Sequence, residues 1–255
     1  MGKMIAVAGK GGVGKTTLCG LLIQYLARTG RGPVLAVDAD ANSNLNEVLG
    51  VEAGPTMGEI REEIERAGMG APAIPAGMTK ADYLQIRIND ALTEEDDFDL
   101  MVMGRTQGQG CYCFVNGLVQ TQVQRLQGNY PYIVVDNEAG MEHISRGILP
   151  AMDAALLVSD CSRRGVQAAG RIKNLMAELN FKPKQTLLII NRAPGGELDP
   201  GTMEEVRRQG LTLAGVIPQD ENVYRYDCDG KPIVELPEDS PVRAAFERVL
   251  RSIDL

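Results

Sequence analysis

The stretch KMIAVAGKGGVGKTTLCG, residues 3 to 20, decides the fold. Met4 to Ala8 form a short apolar run of strand length that ends in glycine. The next segment, GKGGVGKTT at 9–17, fits G-x-x-x-x-G-K-[ST], with Gly9, Gly14, Lys15 and Thr16 in register. Beyond it Leu18, Leu21, Leu22, Tyr25 and Leu26 recur at helical spacing. The order strand, glycine loop, helix suits a phosphate. Glycines let the backbone curl until its N–H groups face an anion, and the helix N-terminus adds partial positive charge. On this reading Lys15 meets the β- and γ-phosphates and the Thr16 hydroxyl binds Mg²⁺. The whole cradle is Gly9, Lys10, Gly11, Gly12, Val13, Gly14, Lys15, Thr16 and Thr17.

Working outward, apolar runs keep alternating with helical patterns. PVLAVDAD, FDLMVMG, YPYIVVDNEAG, AALLVSD, KQTLLIINRA and LAGVIPQD read as strands. NLNEVLG, TMGEIREEIERAG, FVNGLVQTQVQRLQG, SRRGVQAAGRIKNLMAELN and DPGTMEEVRRQG read as helices, and YLQIRINDALT fits either. SPVRAAFERVLRSIDL opens a last helix, with Ser240 as N-cap and Pro241 in the first turn. This alternation predicts an α/β fold: a doubly wound, mostly parallel sheet with helices on both faces, as in P-loop NTPases. No Gly/Ser- or Pro-rich linker divides residues 1–255, which read as a single domain. The acidic run TEEDDFD at 93–99 reads as a solvated turn.

The chain of 255 residues is 44% hydrophobic and carries a net charge of -8, which argues against a general nucleic-acid or anionic-membrane surface. No apolar run approaches the roughly 20 residues of a membrane span, and the start lacks a signal-peptide core. A cytoplasmic protein is expected. Its five cysteines, an odd number, do not read as a disulfide framework. Cys19 and Cys161 read as buried small apolar residues. Cys111-Tyr112-Cys113 in GQGCYCFVNG is open on spacing alone: a metal site, a redox pair or an inert loop pair.

The second lysine of KGGVGKTT, Lys10, has no role in an ordinary phosphate loop. With it the sequence resembles the deviant-Walker ATPases: the MinD/ParA partition proteins, the nitrogenase iron protein and metal-maturation ATPases. The resemblance implies a homodimer that sandwiches ATP and Mg²⁺, with Lys10 reaching the partner's nucleotide. It implies that Asp40, in AVDADANSN, orients the attacking water, with Asp38 in support. It implies that Asp136, in YIVVDNEAG, holds Mg²⁺ through water and that Gly140 bonds the γ-phosphate. Asn191 would read adenine, and Pro218, Gln219 and Asp220 would close over the base. As catalytic residues it points to Lys10, Lys15 and Asp40.

Within that group, the CYC segment and the stretch DNEAGMEHISRG resemble the CooC/AcsF-type nickel-insertion ATPases. The implied function is ATP-driven insertion of nickel into carbon monoxide dehydrogenase or acetyl-CoA synthase as client. Cys111 and Cys113 from two chains would make a four-thiolate site for one Ni²⁺ or Zn²⁺. Two alternatives stay open. One is an electron donor with a bridging 4Fe–4S cluster, although no cysteine follows YIVVD and only His143 stands there. The other is a partition switch, although the last helix lacks the strongly basic face that membrane binding favours. No nucleic-acid or membrane partner is expected.

Overall fold

The computed structural model describes residues 2–68, 74–75, 77–105, 112–138 and 152–253. Of the residues singled out above, Cys111, Gly140 and His143 lie outside these, as does the side chain of Cys113. The strands are β1 (Lys3–Gly9), β2 (Val34–Ala39), β3 (Leu92–Glu94), β4 (Phe98–Val102), β5 (Tyr132–Asn137), β6 (Ala154–Asp160), β7 (Gln185–Ala193) and β8 (Leu213–Pro218). They form one eight-stranded sheet in the order β3-β4-β2-β5-β1-β6-β7-β8. Every pairing is parallel except β3 with β4. The expected doubly wound sheet is therefore present, with one antiparallel edge strand.

That edge resolves the ambiguous YLQIRINDALT. Helix α4 (Lys80–Asp90) takes its first part, capped by the Thr79 hydroxyl, and β3 takes the end. The acidic run then spans the end of β3, a tight connection, and the start of β4, so its turn is real but narrower than read. Two apolar layers cover the sheet. On one face lie α1 (Lys15–Leu26), α2 (Leu45–Leu49) and α9 (Pro241–Ser252). On the other lie α3 (Met57–Gly68), α4, α5 (Tyr112–Leu126), α6 (Arg163–Glu178) and α7 (Pro200–Arg208). Strand residues alternate between the layers: Met4, Ala6 and Ala8 face one, Ile5 and Val7 the other.

The last helix docks on the domain as its apolar stripe requires. Val242, Ala245, Phe246, Val249 and Leu250 are buried in it, and an aromatic buried that fully contributes about 2–3 kcal/mol. Its N-terminus differs from the expectation. Ser240 makes no side-chain cap. Its hydroxyl donates instead to Asp220 Oδ2 at 2.6 Å, and the same oxygen accepts from Val242 N at 3.4 Å. Asp220 Oδ1 meanwhile accepts from Asn222 N at 2.9 Å and caps α8 (Glu221–Asp229), a helix that no apolar pattern announces. One carboxylate thus holds two helix starts, where the dipoles favour negative charge. Cys19 is fully buried as expected, whereas Cys161 is only half-buried, because it lies past the end of β6.

The parallel strands carry two acids into the interior. Asp38 on β2 and Asp136 on β5 are register partners, exposed by 0% and 1%. Burial pushes Asp136 up to about 7; the Thr16 hydroxyl opposes that rise and the neighbouring Asp38 adds to it. Burial likewise raises Asp38 to about 6, against the N–H groups of Leu45 and Asp40.

Two outcomes are expected. Asp220→Ala removes both helix caps and lowers the unfolding free energy in denaturant titrations by about 2 kcal/mol, whereas a change under about 0.5 kcal/mol contradicts the double cap. For Asp136 the folded value lies above the unfolded 3.8, so the folded protein binds the extra proton. Its contribution is complete below about pH 4 and lost as pH rises through about 7. In EDTA, the stability of wild type relative to Asp136→Asn therefore falls between those pH values, with a slope of at most about 1.4 kcal/mol per pH unit. A pH-independent difference contradicts it.

Candidate nucleotide site

The site lies at the carboxyl ends of β1, β2, β5 and β7, where ligands of doubly wound sheets bind. The loop after β1 can pass close to the sheet only with glycine. A Cβ at Gly9 would lie 2.2 Å from Val158 O. Gly14 precedes α1 with φ 89°, and a Cβ there would lie 2.5 Å from Asn191 Nδ2. The helix then starts at Lys15, so its unpaired N–H groups open on a cavity of about 1140 Å³. Gly11, Gly12, Gly14, Lys15, Thr16 and Thr17 line it, together with Asp40.

Lys15 is nearly buried, and its Nζ donates to Lys10 O at 3.3 Å, curled back over its own loop. The Lys10 side chain is exposed and is not among the residues lining the cavity. Asp38 Oδ1 accepts from Asp40 N at 2.9 Å and Oδ2 accepts from Leu45 N at 3.0 Å, so Asp38 fastens both ends of the segment between them. Asp40 is half-buried, and its Oδ1 accepts from Asn42 N at 2.8 Å and from Asn42 Nδ2 at 3.1 Å. Asn42 Oδ1 in turn accepts from the Arg105 guanidinium, just past β4 and directly ahead of the 106–111 segment. Asp136 is engaged by the Thr16 hydroxyl, yet its Oδ1 has no hydrogen-bond partner among the described residues. A buried carboxylate oxygen without a partner, beside a hydroxyl and under a phosphate loop, fits a hard oxygen-seeking cation such as Mg²⁺.

A second cavity of about 390 Å³ adjoins the first. Val48, Val223, Ile233 and Val242 give it apolar walls, and Asn191, Pro218, Gln219 and Asp220 line it as well. All four residues expected at the base therefore meet there. The Asn191 amide is engaged on both sides. Its Nδ2 donates to Val13 O at 2.9 Å, and its Oδ1 accepts from Arg192 N at 3.0 Å. One amide hydrogen and one lone pair are left for a ligand. Gln219 N donates to Ala193 O at 3.0 Å, which holds this segment against the β7 end.

Sequence reasoning missed Asn42, Glu138, Arg192, Asp227 and Lys231, which also line the first cavity. Asn42 and Arg192 stood beside recognised residues and could have been found by extending those motifs by a residue or two. Asp227 and Lys231 come from α8 and its exit, where no apolar stripe marked a helix. Cys113 lies in the first turn of α5 rather than in a loop ahead of it. Among the described residues no cluster of three or more metal-ligating side chains forms, and no helix is long and apolar enough to cross a membrane.

Comparison with known proteins agrees with this geometry. The CbiA family, described as the CobQ/CobB/MinD/ParA nucleotide binding domain, matches residues 4–233. The ATP-binding protein MJ0685 of Methanocaldococcus jannaschii is 41% identical, covering 98% of each chain. The carbon monoxide dehydrogenase accessory protein CooC of Rhodospirillum rubrum is 30% identical over 91% of this chain and 89% of its own. Among solved structures, the septum site-determining protein MinD of Pyrococcus horikoshii, complexed with Mg-ADP, superposes with a TM-score of 0.71. It is 22% identical, with 100% of this chain and 96% of that one covered, a likeness of fold. With the family model matched over residues 4–233 and a relative 41% identical over 98% of the chain, the phosphate loop over two buried aspartates belongs to a member of the CobQ/CobB/MinD/ParA family of P-loop ATPases.

Proposed function

We propose that the protein is a homodimeric ATPase that loads nickel into carbon monoxide dehydrogenase or acetyl-CoA synthase, with Cys111 and Cys113 of both chains as the carrying site. The observation that supports it most is the tie from the nucleotide cavity toward the cysteines: Asp40 holds Asn42, and Asn42 holds Arg105, where the cysteine segment begins. A change at Asp40 on hydrolysis then has a direct route to that segment. The CYC motif and the similarity to CooC point to the cargo.

The hydrolytic half follows from the residues. Lys15, released from Lys10 O, binds the β- and γ-phosphate oxygens, and the loop N–H groups cradle the rest. Asp40 orients water in line with the γ-phosphate, and Gly140 completes the γ-phosphate contacts. Thr16 and, through water, Asp136 would hold Mg²⁺, which would supply charge neutralisation at the β- and γ-phosphates. Lys10, exposed on the outer side of the loop, reaches the partner's nucleotide. The base enters the smaller cavity, where the remaining valences of Asn191 contact adenine and Pro218 to Asp220 cover it. The cargo ion is Ni²⁺ or Zn²⁺, for which thiolates are suitable ligands. An iron–sulfur bridge finds less support, since no cysteine follows Asp136 before Cys161. A membrane-bound switch finds less support because the apolar side of α9 is buried.

Metal content of anaerobically purified full-length protein tests this reading. Wild type is expected to hold about one nickel or zinc ion per two chains, and Cys111→Ser with Cys113→Ser to hold none. Lys15→Ala is expected to abolish ATP hydrolysis while the metal stays. Metal retained by the double serine variant, or a reducible brown cluster in wild type, contradicts the proposal.

A further inference from the structure

We infer that Arg192 is a positioning residue for the nucleotide triphosphate, bracing the phosphate loop from outside in partnership with Asn191. These consecutive residues near the end of β7 take consecutive carbonyls of the loop. Arg192 Nη1 donates to Gly12 O at 2.9 Å and Asn191 Nδ2 donates to Val13 O at 2.9 Å. The two are locked to each other, because Asn191 Oδ1 accepts from Arg192 N at 3.0 Å. The consequence for a ligand follows from peptide geometry. In a planar trans peptide the C=O and the N–H of the next residue point in opposite directions. Holding the carbonyls of Gly12 and Val13 toward β7 turns the N–H groups of Val13 and Gly14 the other way, as donors for phosphate oxygens.

The backbone at Arg192 is arranged for this task. Its φ is 57°, left-handed and therefore unfavourable for a residue with a Cβ. A glycine would relieve that cost but carry no guanidinium, so the conformation is held by what the side chain and its neighbours do. The loop is drawn tight against this brace: at Gly14 a methyl group would collide with Asn191 Nδ2 at 2.5 Å. Arg192 also lines both cavities. It therefore stands between the phosphate and base regions, and its hold on Gly12 can respond to a ligand in either. Its positive charge adds to the field that Lys15 presents to an anion.

Binding of inorganic tripolyphosphate, ATP and adenosine to full-length variants, measured by calorimetry, separates the brace from its rivals. Arg192→Gly keeps the backbone conformation and deletes the brace. It is expected to weaken tripolyphosphate and ATP alike, by about tenfold, with adenosine unchanged. Arg192→Lys, which restores one charged donor, is expected to recover part of that loss and guards against a misfolded glycine variant. Tripolyphosphate affinity equal to wild type in Arg192→Gly overturns the inference. So does a loss confined to ATP and adenosine, which would place Arg192 at the base.

Discussion

Two carboxylates stand side by side in a dry sheet, and the site is organised around them. Asp38 and Asp136 are register partners on neighbouring parallel strands, both removed from water. Burial raises both above the usual carboxylate range, and for Asp136 the repulsion from Asp38 adds to it. The protein answers each differently. Asp38 receives two backbone N–H groups and becomes the anchor of the segment that carries Asp40. Asp136 receives the Thr16 hydroxyl and keeps one oxygen without a partner among the described residues, the kind of oxygen that a hard cation would take. The nearly buried Lys15 is the compensating charge. The loop that carries it arrives at close range, which glycine permits, since a Cβ at Gly9 would meet Val158 O and one at Gly14 would meet Asn191 Nδ2.

Much of this was legible because it is local. A strand, a glycine loop and a helix occupy 24 consecutive positions, Lys3 to Leu26, and each reinforces the reading of the next. Asp38, Asp40 and Asp136 lie at strand ends, where an apolar run stops at a polar residue. The buried face of α9 could be counted at helical spacing. What failed to show in sequence depends on distant partners. Ser240 has the residue type of an N-cap, yet a carboxylate from Asp220 takes the helix end and its hydroxyl turns to that acid. Asn191 has the chemistry to read a base, yet its amide is first committed to Val13 and Arg192. Helix α8 has no buried residue and so no stripe to betray it. Nothing in the sequence marks the conformation of Arg192, whose positive φ and contact with Gly12 O are set by the folded chain.

Hydrogen bonds also run from the phosphate end of the site to Arg105, the last described residue before the cysteine segment. Met103 N donates to Asp38 O at 2.9 Å and Gly58 N donates to Met103 O at 2.9 Å, so the chain leaving β4 is sewn to the Asp38 strand before it departs. Gly104, with φ 66° and Thr56 against it, then turns the chain toward Arg105, which reaches Asn42. Few residues separate the phosphate end of the site from the start of the segment that contains Cys111 and Cys113. On the proposed function, this tie is the route by which occupancy at the phosphate end would bias the cysteine segment without any rearrangement of the sheet.

The most direct test of this coupling is the Zn²⁺ affinity of full-length protein, by chelator competition, with a non-hydrolysable ATP analogue and then with ADP. Wild type should differ between the two states by about tenfold, and Arg105→Ala should bind Zn²⁺ with one affinity in both. An Arg105→Ala protein that shifts as wild type does, or a wild type that does not shift at all, would contradict the account.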